Sequence, residues 1–469
     1  MTEKLFVPGL NDDETVTLNL LVEQLAEKSK RNRLRSSFYD GKKAVKQVAG
    51  GSIPPQYTKL ATALGWAAKG VDGLARRCNI DGFVWADGDL ESLGMQELED
   101  SNFLLSELSQ GRTDSLIHGT SFLITTRGLG DEPKALVHAK DARNATGEWN
   151  VRKRRLDNLL SITSRDDDKI TGFVLYLDGV TITADRPSGV WEVSRSEHPW
   201  HVPAEPLIYK PRSSRRFGRS RITRAVMSHQ MSALRALVRL EAHMDIYAIA
   251  KLVLLGANES VFKNADGSYK DSWQVVMGRV FGLPDDEDAH ESLARADVKQ
   301  LSAQSPEPHL ADLNALAKLM ARETDLPDSD FALTDMSNPT SADAYNASRE
   351  NLIAEAEGAS EDWSVPIRRT VTRALAIQND LEEVPASWRG IQPAWRSPIY
   401  LSKSQQADAG AKQLSLVPWL AETPVGLKML GLSQQDIDLA MAEKRKQAGR
   451  ALVASIVKPA EVPADGDSE

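Results

Sequence analysis

The hydrophobic period of this chain changes twice, and that constrains its fold more than any other feature. Up to residue 116 apolar side chains recur at helical spacing. Between 117 and 210 they alternate or cluster in short β-branched runs, and from 219 onward helical spacing returns. A block of strands set between helical blocks predicts an α+β chain that is mainly α.

The first helix is signalled by Asp12-Asp13-Glu14, acids that suit a helix N-terminus. Val16, Leu20, Leu21 and Leu25 follow as its apolar face, and Phe38-Tyr39-Asp40-Gly41 as its stop. A second helix is predicted from Gln56 to Cys78 with Leu60, Leu64, Ala67, Val71 and Leu74 inward, then a short strand at Phe83 and Trp85. Helical spacing continues from Leu90 to Leu116. In the β-rich block, Ser121–Thr126, Ala135–His138, Phe173–Leu177, Val180–Thr183 and Trp191–Val193 read as strands. Asp178-Gly179 between two of them predicts a hairpin with a type I′ turn.

Lys210 to Arg224 then carries seven bases and no acid. A solvated turn, a patch that meets a neighbouring subunit's acids, and a contact with nucleic-acid backbone all fit that run. A helix from Arg219 to Ile249 would span roughly 45 Å, with Ile222, Val226, Met231, Leu234, Leu237, Val238 and Met244 as its stripe. Leu252–Gly256 reads as a strand and Asn264–Gly267 as a turn, and Gly282-Leu283-Pro284 precedes the acids Asp285, Asp286, Glu287, Asp288 and Glu291. Leu310, Leu313, Leu316 and Met320 mark a further helix that stops at Leu326-Pro327. Asp335-Met336-Ser337-Asn338-Pro339 has turn chemistry, and Thr340-Ser341-Ala342-Asp343 matches a helix-start capping box. The helix it opens runs to Ile377, with a kink expected near Gly358 and Pro366. A last helical region covers Ser402 to Ile456, and the acidic tail beyond it is expected to fray.

Composition narrows the chemistry. The net charge of −9 weakens any reading as a protein that coats DNA by phosphate neutralisation. The single cysteine, Cys78, excludes an internal disulfide and fits a reducing compartment; beside Arg76-Arg77 it reads as a buried, inert thiol. No apolar signal core follows Met1-Thr2-Glu3-Lys4, and no run approaches the ~20 apolar residues that span a bilayer. Gly41-Lys42 is followed by Lys43, so no phosphate-cradling GxxxxGK[ST] loop exists. Gly119-Thr120-Ser121 starts a nucleophile elbow, but Leu123 occupies the closing glycine position. No H-E-x-x-H occurs, and His198 and His201 flank Pro199 in a loop rather than on a helix face. These absences predict no catalytic residue, no metal and no cofactor.

The order of blocks resembles that of the portal proteins of tailed bacteriophages, in particular those of long-tailed phages of actinobacteria. Phe38-Tyr39-Asp40-Gly41 resembles the family's N-terminal Y-x-G element, and Val71-Asp72-Gly73-Leu74-Ala75-Arg76-Arg77 with Asp81-Gly82-Phe83 its "VD-x-LA-x-R … GF" stretch. His198-Pro199 through Val202-Pro203, then Gly218-Arg219-Ser220, is similar to the run from wing into stem. Asn338-Pro339-Thr340-Ser341-Ala342 is the most specific match. Many relatives carry an Ala-x-Pro element after the stem helix, where this chain has Ala248-Ile249-Ala250-Lys251.

The resemblance implies an elongated subunit, with wing, stem, clip and crown, that assembles into a ring of usually twelve round a channel at one capsid vertex. It places the wing at residues 1–218, helical to 116 and β-rich over 117–218. The stem helices fall at 219–249 and 308–327, with the clip between them at 250–307. The tunnel loop falls at 328–342, a spine helix and return at 343–410, the crown at 411–456 and an acidic tail at 457–469. Asp335, Met336, Ser337, Asn338, Pro339 and Thr340 would then face DNA. The Ile222-to-Met244 stripe would pack against neighbouring subunits, being wider than one subunit can cover, with packing inside the subunit alone as the alternative. Asp285, Asp286, Glu287 and Asp288 would dock partners, and Arg215, Arg216, Arg219 and Arg221 mark the wing–stem junction. Implied partners are double-stranded DNA read without sequence, the terminase large subunit, head–tail adaptor proteins, the major capsid protein and scaffold, with no membrane. The implied location is the virion, with assembly in the host cytoplasm. Alternatives are a capsid-associated nuclease or motor subunit, and a minor capsid adaptor.

Overall fold

In the computed structural model, residues 4–42, 64–167, 169–247, 251–257, 263–268, 280–284, 297–331, 349–400 and 402–457 are described. The first helix, α1 (Asp12–Tyr39), opens on Asn11 rather than on the acids alone. Asn11 Oδ1 accepts from the Glu14 N–H at 2.8 Å, and Glu14 Oε2 accepts from the Asn11 N–H at 2.9 Å. This reciprocal cap satisfies two donors that the helix itself leaves orphaned. Its buried face is Leu18, Leu21, Val22 and Leu25, a clean i, i+3, i+4, i+7 set. Val16 and Leu20, expected inside, lie off that stripe and are exposed.

Next come α2 (Trp66–Ala75), β1 (Ile80–Val84), α3 (Met95–Asn102) and α4 (Leu104–His118). The helix expected without interruption from Leu90 to Leu116 is broken at Phe103, which adopts φ 48°. The cause lies in the strands that follow, β2 (Thr120–Arg127) and β3 (Ala135–Asp141). Asn102 Nδ2 donates to the Ala135 carbonyl at 2.9 Å, and its Oδ1 accepts from the Val137 N–H at 2.8 Å. The end of α3 is thereby bonded to the edge of β3, and α4 must start afresh.

The β-rich block contains more strands than the sequence signalled: β4 (Ala145–Asn150), β5 (Arg155–Asp166), β6 (Lys169–Leu177), β7 (Val180–Asp185), β8 (Glu192–Glu197) and β9 (Ala204–Ile208). They form two sheets, ordered β3-β2-β9 and β4-β5-β6-β7-β8, and all their pairings are antiparallel. The centre of the second sheet is buried on both faces, while its edge strand β8 is largely exposed. Phe173 and Leu175 of β6 pack with α1, while Tyr176 joins Phe122, Ile124 and Leu159 between the sheets. The hairpin at Asp178-Gly179 pairs Leu177 with Val180 as expected. Its turn is not type I′, however, because Gly179 has positive φ and Asp178 does not.

Gly218 turns the chain toward the next helix at φ 62°, and a Cβ built there would lie 2.2 Å from the Tyr209 carbonyl oxygen. Helix α5 (Arg224–Tyr247) starts five residues later than expected, because Thr223 caps it through its hydroxyl, which accepts from the Val226 N–H at 3.2 Å. Strands β10 (Lys251–Ala257), β11 (Val280–Pro284) and β12 (Asp297–Leu301) form a small sheet ordered β11-β10-β12. β10 runs parallel to β11 and antiparallel to β12. Helix α6 (Glu307–Thr324) returns antiparallel to α5. Arg221 just before α5 meets Thr324 at the end of α6, and the His243 ring near the end of α5 lies 5.1 Å from His309 at the start of α6.

Helix α7 (Glu350–Gln378) runs through Gly358 and Pro366 as one element and supplies the main core, with Trp363, Ile367, Val371 and Leu375 buried. β13 (Gln392–Trp395) pairs with β1. Residues 396–469 form a separate unit. There the helical region expected from Ser402 to Ile456 consists of three helices: α8 (Lys403–Leu416), α9 (Pro424–Met429) and α10 (Gln434–Val457). Pro418, Pro424 and Gly431, the last at φ 86°, account for the breaks.

Gly218→Ala is predicted to cost more than about 2 kcal/mol, from left-handed strain together with the backbone clash. Urea unfolding of the purified chain checks this, and a midpoint unchanged from wild type would show that the corner is not constrained as described.

Candidate functional site at the base of the helix pair

The carbonyl end of α6 and the approach to α5 meet at one buried charge. Arg221 is 6% exposed, in contrast to Arg215, Arg216 and Arg219, which are exposed. Its Nε donates to the Gly70 carbonyl at 2.6 Å, its Nη1 bonds the Tyr209 hydroxyl at 3.2 Å, and its Nη2 donates to the Thr324 carbonyl. Nη1 also donates to Glu355 Oε2, and the second carboxylate oxygen of Glu355 accepts from both Tyr209 Oη and Lys210 Nζ. Four pieces of chain are bound together here: α2, the exit of β9, the end of α6 and α7. Gly70 permits the approach, since a Cβ there would sit 3.0 Å from Thr324 Cγ2.

The electrostatics explain why the pair stays ionised. Burial is the largest influence on each group and opposes its charge. For Glu355, Arg221 with the bonds from Lys210 and Tyr209 outweighs burial and holds the carboxyl below its usual range. Arg221 is in turn raised by Glu355 and Tyr209. Arg221 also meets a helix C-terminus, where the dipole favours positive charge.

Immediately beyond, Asp330, near the start of the segment 328–342 expected to be the tunnel loop, pairs with Arg349, which lies past the end of that segment. Arg349 Nη2 lies 3.3 Å from Asp330 Oδ1, and Phe331 packs edge-on against Trp66 with ring centroids 5.8 Å apart. The two ends of the intervening segment are thus held side by side. Asp335, Met336, Ser337, Asn338, Pro339 and Thr340 lie outside the described residues, as do Asp285, Asp286, Glu287 and Asp288.

Within the single chain the apolar stripe that leads into and along α5 is largely covered. Ile222, Val226, Leu234 and Val238 are fully covered within the single chain, and Met231 and Leu237 are half-buried. The reason is that α6 and α2 already lie along this face; Gln230 even reaches into the gap to accept from the Ala67 N–H at 2.8 Å. Only Met244 of the seven is exposed. Of the basic junction, Arg221 is internal, while Arg216 lies over the Trp149 ring at 4.6 Å. Arg212 and Arg215 form a short backbone bridge.

The remaining candidates stand apart. His198 is bonded to Thr181 Oγ1 at 3.1 Å and the Trp200 carbonyl at 2.9 Å, while His201 Nδ1 contacts Asp178 Oδ1 at 2.7 Å, so the two imidazoles do not converge. Cys78 is buried and its thiol is pushed up to about 11 by desolvation, which makes it a poor nucleophile. The sequence did not single out Glu355, Tyr209, Asp330 or Arg349. A buried acid opposite a basic run is the one signal that points to Glu355, and it needs the fold to be seen.

Glu355→Ala is predicted to destabilise by about 3–5 kcal/mol, because it strands Arg221 as a buried unpaired charge. The Glu355 contribution has a defined pH sense. Its folded-state pKa is depressed, so the stabilisation is whole above the unfolded value of about 4.3 and is lost as pH falls below it. Glu355→Gln removes that portion, so urea midpoints of wild type and variant should converge in acid; parallel curves would contradict the assignment.

Comparison with known proteins gives the family. The family described as "Phage portal protein, SPP1 Gp6-like" matches residues 19–448. The proteins named "Portal protein" from Mycobacterium phage L5 and Mycobacterium phage D29 are each 23% identical over 417 residues, which is 87% of this chain and 84% of theirs. Among solved structures, a chain of the virion of the native gene transfer agent (GTA) particle aligns at TM-score 0.38 and 13% identity, over 86% of this chain and 99% of that one. A chain of the C12-symmetric neck of the native GTA particle aligns at TM-score 0.41 and 12% identity, over 83% and 96%. The assignment rests on the sequence match that spans both helices of the pair and the β-rich block: this chain belongs to the phage portal protein family of the SPP1 Gp6-like type.

Proposed function

We propose that copies of this chain close into a ring, of twelve subunits, around an axial channel at the portal vertex of a capsid. Double-stranded DNA enters through the channel in packaging and leaves through it at infection. The family is structural rather than enzymatic, so the chain supplies a conduit and docking faces while a separate motor does the work. In this reading α5 and α6 are the stem, and residues 250–307, with β10, β11 and β12 at the tip of the helix pair, are the clip. Residues 328–342 are the tunnel loop, the β-rich block and α7 form the wing, and 411–456 the crown.

The observation that carries this reading is the antiparallel helix pair with distinct ends. At one end it carries a small sheet, and at the other Arg221, Glu355, Asp330 and Arg349 lock the base of a polar segment. Such a segment can approach a duplex without any base-reading fork, as sequence-blind transport requires. The acids from Asp285 to Glu291 suit the clip, where they repel DNA or meet a basic face of the terminase large subunit or, later, of head–tail adaptor proteins. The major capsid protein and scaffold would meet the outside of the ring, and assembly would take place in the host cytoplasm. Because the chain itself covers Ile222, Val226, Leu234 and Val238, neighbours in the ring would meet other faces of the stem, Met244 among them.

Electron microscopy of the purified protein, viewed down the particle axis, is predicted to give closed rings with an opening wide enough for a duplex. A stable monomer across high concentration and varied salt would remove the reading, and a ring without an axial hole would favour an adaptor role. Replacing Asp335 to Asn338 by glycines is predicted to leave ring assembly intact and to lower DNA packaging. Normal packaging by that variant would reassign the loop.

A further inference from the structure

The last turn of α4 and the end of β3 bring together three potential ligands that neither the family nor the helix pair accounts for. Asp114 and His118 sit four residues apart on one face of α4, and Asp141 closes β3. One donor atom from each lies within 4.8 Å of the other two. His118 is 6% exposed, and its Nδ1 is buried with no hydrogen-bond partner, while its Nε2 lies 3.5 Å from Ser36 Oγ. A buried imidazole nitrogen left unsatisfied beside two carboxylates is a ligand position without its ion or proton.

We propose that Asp114, His118 and Asp141 form a binding site for one divalent transition-series cation of the zinc or manganese class. One imidazole nitrogen with two carboxylate oxygens is a donor set for that class rather than for calcium or magnesium, which favour all-oxygen shells. Asp141 is held in one place by the turn that follows it, with Asn144 Nδ2 also donating to its Oδ1 at 3.1 Å. Its Oδ1 caps the following turn, accepting from the N–H groups of Arg143 and Asn144 at 3.1 Å, and its Oδ2 accepts from Arg143 Nε at 2.6 Å. Oδ2 keeps a second lone pair for a cation, with Arg143 as the outer partner that fixes the carboxylate.

Two carboxylates, Asp114 and Asp141, face one imidazole here, and a bound cation would offset the charge they bring together. Arg143 and Arg35 bring opposing positive charge, but Arg143 is engaged with Asp141, and Arg35 donates its Nη1 to the His118 carbonyl at 2.9 Å, away from the ring. The ion would tie α4 to β3 directly beneath α1, close to where the chain leaves for Gly119 and the β-rich block.

The test uses the full chain stripped with a chelator, then titrated with Zn2+ and separately with Mn2+ by calorimetry, with bound metal read by elemental analysis. The expected result is saturable binding of a single ion per chain by at least one of the two, with a higher thermal midpoint on loading. Asp114→Asn keeps the shape and removes a ligand charge. It is expected to weaken binding by at least about tenfold, while its metal-free midpoint stays at or above that of wild type. His118→Gln gives a second reading should Asp114→Asn fold poorly. His201→Ala, at the exposed His201–Asp178 pair, is expected to bind as wild type does. The assignment is overturned if the stripped wild type takes up neither metal, if both Asp114→Asn and His118→Gln bind undiminished, or if binding is lost in His201→Ala instead.

Discussion

The buried cation Arg221 ties together four parts of the larger unit of this protein. A charge out of water is tolerated only where its partners are arranged around it, and the penalty for a missing partner exceeds the gain from a present one. Arg221 therefore dictates where Gly70, Tyr209, Thr324 and Glu355 must be. Those residues belong to α2, the chain leaving β9, the end of α6 and the long helix α7. Hydrophobic burial along α5 and α7 supplies the bulk of the stabilisation, but it is non-directional. The guanidinium, with its fixed fork of donors, sets the angle and register of the parts.

What the sequence revealed was what local chemistry controls. The Asp178-Gly179 hairpin, the strands at Ser121 and Phe173, and the spans of α5 and α6 all follow from spacing and turn residues within a few positions. The misjudged phase of α1 is a matter of two stripes on one helix. Val16 and Leu20 are as apolar as Leu18 and Val22, and only the sheet packed beneath decides which set is covered. The break at Phe103 was invisible for the same reason, since Asn102 bonds to β3 some thirty residues on. In the second unit, the prolines and the glycine that divide the last helical region were in plain view and were read past.

The functional elements divide in the same way. Seven bases between Lys210 and Arg224 look alike in the sequence, yet one is interior and the others are not. The distinguishing partner, Glu355, lies 134 residues away, and no periodicity connects the two. The Asp114–His118 pair does have helical spacing, but an acid and a histidine four apart are common on helices. Only the arrival of Asp141 from the neighbouring strand makes the pair notable. Family resemblance supplied what spacing could not, an expected role for each block.

The contact between Asp330 and Arg349 has a consequence for how this architecture can diversify. Fixing both feet of an intervening stretch separates its reach from the rest of the molecule. Once the ends are fastened, each doubling of contour adds only about 0.6 kcal/mol of closure entropy. Insertions and deletions between the two feet are therefore nearly neutral for folding, so the length of that stretch can change while the scaffold beneath it stays unchanged.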